Sequence, residues 1–213
     1  MILTHGANSL PKEIILPSNT IRCKFTSGYT PSMGDTQTLV NASSNIWDIY
    51  IASNVWTGLF WRCDALERVL SANTSNVTDM ESMFYGCTKL ENVPLFDTSN
   101  VTDMQGMFSG CTKLENVPLF DTSNVTDMQR MFYGCTKLKY IPLFDTSNVT
   151  DMWNMCRNCR NVESGALALY QQASGQTTPP QSYSNCFTNC GIDTDTGYAE
   201  LAQIPASWGG TGA

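Results

Sequence analysis

Through the middle of the chain the apolar side chains keep a fixed order. In one copy they are Val101, Met104, Met107, Phe108, Cys111, Leu114, Val117 and Leu119, and the same order returns 24 residues earlier and 24 residues later. The spacings of three and four from Val101 to Phe108 predict a short helix with one buried face, which Gly110 can end. Leu114-x-x-Val117-x-Leu119 predicts a strand, kept very short or irregular by Pro118, which has no N–H. The polar positions recur as faithfully. Asp97-Thr98-Ser99-Asn100 supplies turn and cap side chains, and Asp103 falls in the first turn of the predicted helix, where it favours the dipole.

Thr-Ser-Asn-Val-Thr-Asp-Met begins at Thr74, Thr98, Thr122 and Thr146, and Met-Phe-x-Gly-Cys-Thr-Lys-Leu begins at Met83, Met107 and Met131. Self-similarity at a fixed period of this length implies a solenoid in which each repeat packs on its neighbours. One coil buries too little apolar surface to offset the entropy of ordering its residues, so the coil–coil interface must contribute the rest. The expected fold is an α/β solenoid, a stack of 24-residue strand-plus-short-helix coils with a small N-terminal β cap.

Residues 1–48 do not follow the period and read as that cap. Short strands are predicted over 13–17, 20–26, 36–40 and 47–51, separated by turn signals such as Pro17-Ser18-Asn19. The solenoid is expected over 49–190: a worn first repeat at 50–73, good repeats from Thr74, and an insertion at 163–181 whose residues 166–172 look helical. Cys186-Phe187-Thr188-Asn189-Cys190 echoes the repeat once more, and 191–213 form a C-terminal cap, with a short helix over 198–204, and a flexible tail.

Composition narrows the function classes. A net charge of −7, a pI near 4.6 and scattered Lys and Arg argue against nucleic acid and anionic membranes. No apolar run is long enough to span a bilayer, and the first residues lack the pattern of a secretory signal. The expected location is extracellular or on a virion; a virion component released by lysis needs no signal.

Asn-Val-Thr-Asp-Met-x-x-Met-Phe-x-Gly-Cys-x-x-Leu resembles the BspA-like leucine-rich repeat of bacterial surface proteins and mycoplasma lipoproteins. The resemblance covers residues 74–159 strongly, and 50–73 and 182–204 weakly. Residues 1–48 and 199–205 are also similar to short repeat proteins of gut bacteria and their phages. This resemblance implies a leucine-rich-repeat fold and adhesion or host recognition, and it supplies no catalytic residues.

The chain has one histidine, His5, so Ser-His-Asp or Cys-His catalysis has no plausible base, and no enzyme and no cofactor are expected. Five of nine cysteines, Cys63, Cys87, Cys111, Cys135 and Cys159, fall on the repeat period. Coils about 4.8 Å apart suit a column of buried thiols better than disulfides. Cys156, Cys159, Cys186 and Cys190 could supply four thiolates to zinc. The preferred reading continues the ladder through Cys159 and Cys190, with Cys156 and Cys186 replacing Phe and Met; a Cys156–Cys186 bridge stays open. Asp97-x-Ser99-x-x-x-Asp103 faintly suggests Ca²⁺, but capping and Asx turns explain it better.

The positions that vary between repeats carry the functional expectation. They are Glu81, Gln105, Gln129 and Trp153; Ser82, Gly106, Arg130 and Asn154; Tyr85, Ser109, Tyr133 and Arg157; and Asn92, Asn116 and Tyr140. Strand alternation from Val93 and Leu95 points Phe96, Phe120 and Phe144 outward; the alternative, which we favour, turns each ring into the gap between coils. Aromatic and Arg side chains concentrate interface energy, which selects Arg130, Tyr133, Tyr140, Trp153 and Arg157 as the candidate site. The expected function is recognition of a host-surface glycan or protein, with residues 1–48 attaching to virion proteins. The other reading is a virion decoration or spacer without a receptor.

Overall fold

A computed structural model of the chain describes residues 16–212. An antiparallel four-stranded sheet opens it: β1 Thr20–Phe25, β2 Thr36–Asn41, β3 Ile46–Tyr50 and β4 Leu66–Asn73, in the order β2-β3-β1-β4. The strand expected over 13–17 lies largely outside the described residues. Alternation sets the two faces of β1. Ile21, Cys23 and Phe25 are buried, while Arg22 forks onto Asp48 at 2.6 and 2.7 Å and Lys24 reaches Glu67 at 2.7 Å. β4 belongs to the first 24-residue coil. On one side it pairs with β1; on the other Arg68 bridges Asn92 in parallel, so the antiparallel sheet passes directly into a parallel stack.

From there the chain proceeds in coils held at a 24-residue offset. Parallel bridges join Val55, Asp79, Asp103, Asp127 and Asp151 in turn, and Asp151 then joins Ser182. That last step is longer because helix α1, Ala166–Ser174, is inserted. Between bridges the predicted helix is absent. The N–H groups of Met104, Gly106, Phe108 and Gly110 donate to the next coil, at the carbonyls of Asp127, Gln129, Met131 and Tyr133 (3.0, 2.8, 2.9 and 2.7 Å). Those of Met107, Ser109 and Cys111 close tight turns onto Met104, Gly106 and Phe108. A helix would turn all of these groups inward along its own axis; here every second one is given to the neighbour.

Left-handed residues make this ribbon possible. Gly106 and Gly110 have φ of +60° and +76°, and the equivalent Ser82, Arg130, Asn154 and Asn158 hold +53° to +64°. Gly110 is therefore an internal joint of the ribbon and not the end of a helix. The spacing of three and four survives because each tight turn, like a helical turn, returns a side chain to the same side. Val101, Met104, Met107, Phe108, Cys111 and Leu114 are all fully buried.

The second run of each coil corrects the strand expectation. Leu95, Leu119 and Leu143 are 65, 59 and 52% exposed, whereas Phe96, Phe120 and Phe144 are buried. The proline at 94, 118 and 142 prevents regular pairing, and Phe144 N–H bonds back to Pro142 O at 2.9 Å, a turn that swings Leu143 outward. The rings fill the gap between coils. Phe96–Phe120 and Phe120–Phe144 stack at 5.7 and 6.3 Å, and Phe84–Phe108 and Phe108–Phe132 at 5.5 and 5.7 Å.

The recurrent polar residues also bind coil to coil. The hydroxyls of buried Thr98 and Thr122 donate to Asp121 O and Asp145 O, Asn100 Nδ2 to Ser75 O, and Asp97 Oδ1 accepts from Ser99 in an Asx turn. At the far end α2, Asp195–Leu201, and the 3-10 turn Ala206–Trp208 close the stack. Trp208 stacks on Tyr183 at 4.3 Å and packs edge-on to Tyr170 at 5.4 Å.

Gly106→Ala separates the ribbon from a helix by the sign of its effect. Gly106 lies inside the predicted helix, has φ +60°, and the closest group to an added methyl is the movable Ser82 hydroxyl at 3.3 Å, so the backbone conformation dominates the outcome. The substitution should destabilise by about 1–2 kcal/mol, whereas in a helix it would stabilise by roughly 1 kcal/mol. Chemical denaturation of the two proteins gives the sign.

Candidate functional site

Chemistry-bearing side chains are concentrated in the cysteine ladder, and the fold uses them structurally. The thiols of Cys87, Cys111, Cys135 and Cys159 lie 3.1, 3.1, 3.1 and 2.9 Å from the carbonyls of Phe60, Phe84, Phe108 and Phe132 in the preceding coil. Those carbonyls already accept the N–H of the cysteine in their own coil, for example Cys87 N–H onto Phe84 O, so each S–H takes the second lone pair. Burial pushes all four thiols up, Cys159 to about 12, and suppresses the reactive thiolate. All nine cysteines are free and buried. Cys156 and Cys186 occupy Phe and Met places in adjacent coils, joined by Cys156 N–H onto Cys186 O at 2.9 Å. Among the described residues no group of three or more His, Cys, Asp or Glu is placed to hold a metal ion. His5 lies outside the described residues.

The sequence-selected residues divide into two groups. Arg130 lies with its guanidinium carbon 4.4 Å above the Trp153 ring, one coil away. Tyr133 N–H bonds Arg130 O, and Gly134 N–H bonds Arg157 O, so Arg130, Tyr133, Trp153 and Arg157 share the turn-ribbon face. Arg157 Nη1 donates to Asn154 Oδ1 at 3.3 Å, while its buried Nε has no protein partner. Tyr140 is apart from these. It lies on the second run of its coil, bridged to Ser164, with its hydroxyl 3.4 Å from Val117 O.

The same face extends toward the N-terminus through residues the selection passed over. Trp61 and Tyr85 stack at 6.1 Å and 18°, and the Arg62 guanidinium carbon lies 4.6 Å above the Trp61 ring. Beside them opens a shallow cleft of about 390 Å³, walled by Tyr85 and Tyr133, floored by Ser109 and Gly110, and edged by Asp64 and Thr88. Thr88 Oγ1 donates to Asp64 Oδ1 at 2.7 Å. The signal was in the sequence: Trp61, Tyr85, Ser109, Tyr133 and Arg157 occupy one repeat position. At the edge of this face, burial raises the Asp103 carboxyl and Asp79 in the adjacent coil adds to it.

The family model described as "Mycoplasma protein of unknown function, DUF285" matches residues 53–168, more than half of the 213-residue chain. The chain belongs to this family. The match spans the described coils from Val55 to the start of α1, so the DUF285 unit contains both Arg–Trp pairs and the cleft between them. Comparison with curated proteins gave no match. Among solved structures, the crystal structure of a T. pallidum leucine-rich repeat protein (TpLRR) is 18% identical, covering 62% of this chain and 76% of that one at a TM-score of 0.28, a likeness too weak to carry an argument. Among the described residues no helix is long and apolar enough to cross a membrane.

The buried thiols carry a pH dependence. The folded pKa values of Cys87, Cys111, Cys135 and Cys159 lie above the free-thiol value of about 8.5, so the unfolded chain loses protons first. The stability they confer is complete below that pH and is lost as pH rises past it, by about 1.4 kcal/mol per thiol per unit. Thermal melts from pH 7 to 10 should fall steeply above 8.5, and Cys111→Ala should flatten the slope. Rapid labelling of Cys87, Cys111 and Cys135 in the native protein at neutral pH would contradict the burial.

Proposed function

We propose that this DUF285-family chain is a leucine-rich-repeat-type solenoid, related to the BspA-like surface repeats, and that it acts as a non-enzymatic recognition module. Its ligand is a host-surface glycan or protein, and it works on a bacterial surface or phage particle with residues 1–48 as the attachment end. One observation carries this reading. Inward positions hardly change from coil to coil, while the turn-ribbon face gathers Trp61, Tyr85, Tyr133 and Trp153 with Arg62 and Arg130. Large aromatic and Arg side chains on a rigid frame are the composition of interface hot spots, and a stack of coils gives them fixed spacing.

A spacer function is the second reading, and the exposed row Leu95, Leu119 and Leu143 favours it as a surface for another protein. The two separate experimentally. Binding to host cells or a glycan array should be measured for the intact protein and for a Tyr133→Ala, Trp153→Ala double variant of unchanged melting behaviour. The recognition reading expects binding that falls by at least about tenfold in the variant, the weight of one good contact. Binding to no host surface supports the spacer, and undiminished binding moves the site off this part of the face.

A further inference from the structure

The aromatic ladder on the outside of the stack is interrupted at one coil. Trp61 and Tyr85 continue each other at 6.1 Å; the next place holds Ser109, and the one after holds Tyr133. Inside the stack, over the same four coils, the run from Phe60 to Phe132 has no interruption. Phe84 and Phe132, also two coils apart, hold the Phe108 ring between them at 5.5 and 5.7 Å, with interplanar angles of 9° and 0°. The coil spacing of this protein therefore accommodates one ring between two others. Tyr85 and Tyr133 stand two coils apart, as Phe84 and Phe132 do, and the side chain at the place between them is a serine hydroxymethyl, 3% exposed, so the cleft opens beside it over the glycine backbone. Gly86, Gly110 and Gly134 keep the floor free of side chains, and the volume of about 390 Å³ falls in the range of small-ligand sites.

We propose that this gap binds the ring of a pyranose sugar, which completes the ladder between Tyr85 and Tyr133. The proposal rests on the recognition reading above and names its site and ligand class. A pyranose presents apolar C–H faces to the two aromatic walls and hydroxyls around its edge. The edge of the cleft is polar in the matching way, with the exposed Asp64 carboxylate and the Thr88 hydroxyl that donates to it both able to accept further hydrogen bonds. A purely aromatic ring would meet the walls and give these acceptors no donor in exchange for the water it displaces. The guanidinium of Arg62, already held over Trp61, closes the N-terminal side.

Saturation-transfer NMR on the full chain tests this with a panel of methyl pyranosides in the gluco, galacto, manno and N-acetylated configurations, and with N-acetyltyrosinamide as the aromatic-ring probe. Transfer to the ring C–H protons of at least one pyranoside is expected. Ser109→Tyr supplies the missing ring from the protein itself and should reduce that binding by about tenfold or more, with the melting temperature held or raised. Tyr85→Ala, which removes an outer wall, should do the same if the tyrosine variant fails to fold. Binding of N-acetyltyrosinamide alone, or of no probe, overturns the sugar assignment. Sugar binding that survives both substitutions overturns the location. If wild-type protein binds host cells while either of these results is obtained, the recognition reading stands and only this site is lost; if it binds a pyranoside but no host surface, the recognition reading fails independently.

Discussion

Alternate backbone N–H groups of each coil belong to the next coil, and this shared hydrogen bonding fixes nearly everything else in the stack. Met104, Gly106, Phe108 and Gly110 cannot satisfy their N–H groups internally, because their own turns use the intervening donors. Buried backbone donors are costly to leave unpaired, so each coil must present carbonyls at the same positions as the one before. A 24-residue period is the consequence. A single added residue between Met80 and Gly86 would put the donors that follow it in that ribbon opposite the wrong carbonyls. Extra length is admitted where the ladder does not run: the longer step from Asp151 to Ser182 places its surplus in α1 and the adjoining loop, outside the bridges.

With that register fixed, side chains that would be ordinary core residues become columns. A thiol one coil above a turn finds the free lone pair of the carbonyl below it, which explains why cysteine and not alanine or valine stands at 87, 111, 135 and 159. Rings one coil apart must stack nearly parallel, as Phe108 and Phe132 do at 0°. Threonine hydroxyls at 98 and 122 can be buried because the next coil always offers a carbonyl. The antiparallel sheet at the start meets the same need for the first coil, with β4 bonded to β1 on one edge and to Asn92 on the other.

The period, most inward residues and the thiol column from Cys87 to Cys159 were legible in the sequence because repetition exposes them directly, whereas Cys63, expected in the same column, meets the Tyr29 hydroxyl instead at 3.7 Å. The local backbone was not legible. Three-and-four spacing is common to a helix and to a ribbon of overlapping turns, and the distinguishing sign is the residue type at fixed joints. Glycine at 106, 110 and 134 and asparagine at 154 and 158 are the residues most tolerant of left-handed backbone. Strand alternation likewise places Leu119 inside and Phe120 outside, since it takes no account of the turn that Pro118 imposes; the favoured alternative, with each ring in the gap between coils, is the one the structure has. The candidate site was half legible. Arg130, Tyr133, Trp153 and Arg157 share a face because they lie in one ribbon, whereas Tyr140 lies beyond the turn around Cys135, where a linear reading cannot follow it. Trp61 and Tyr85 stand in the same repeat column as Tyr133 and Arg157, in the coils nearer the N-terminus.

Backbone strain on the outer face bears on function. Arg62 and Arg130 occupy left-handed joints, at φ +54° in both cases, where glycine stands in other coils. A non-glycine residue there costs about 1–2 kcal/mol, and each joint also works with glycine, as Gly86 and Gly110 show for the place of Arg62 and Gly58 and Gly106 for that of Arg130. Each arginine lies over a tryptophan, Arg62 over Trp61 and Arg130 over Trp153. The stacking recovers part of the strain, since an exposed cation–π contact contributes roughly 0.5–1 kcal/mol, but folding alone gives no reason to place the pair there. Ser82 holds the equivalent of the Arg130 joint at φ +53° with no such pair, so it is the stacked guanidinium and ring, and not the strain alone, that sets Arg62 and Arg130 apart. On the recognition reading proposed above, these pairs belong to the face a ligand would cover.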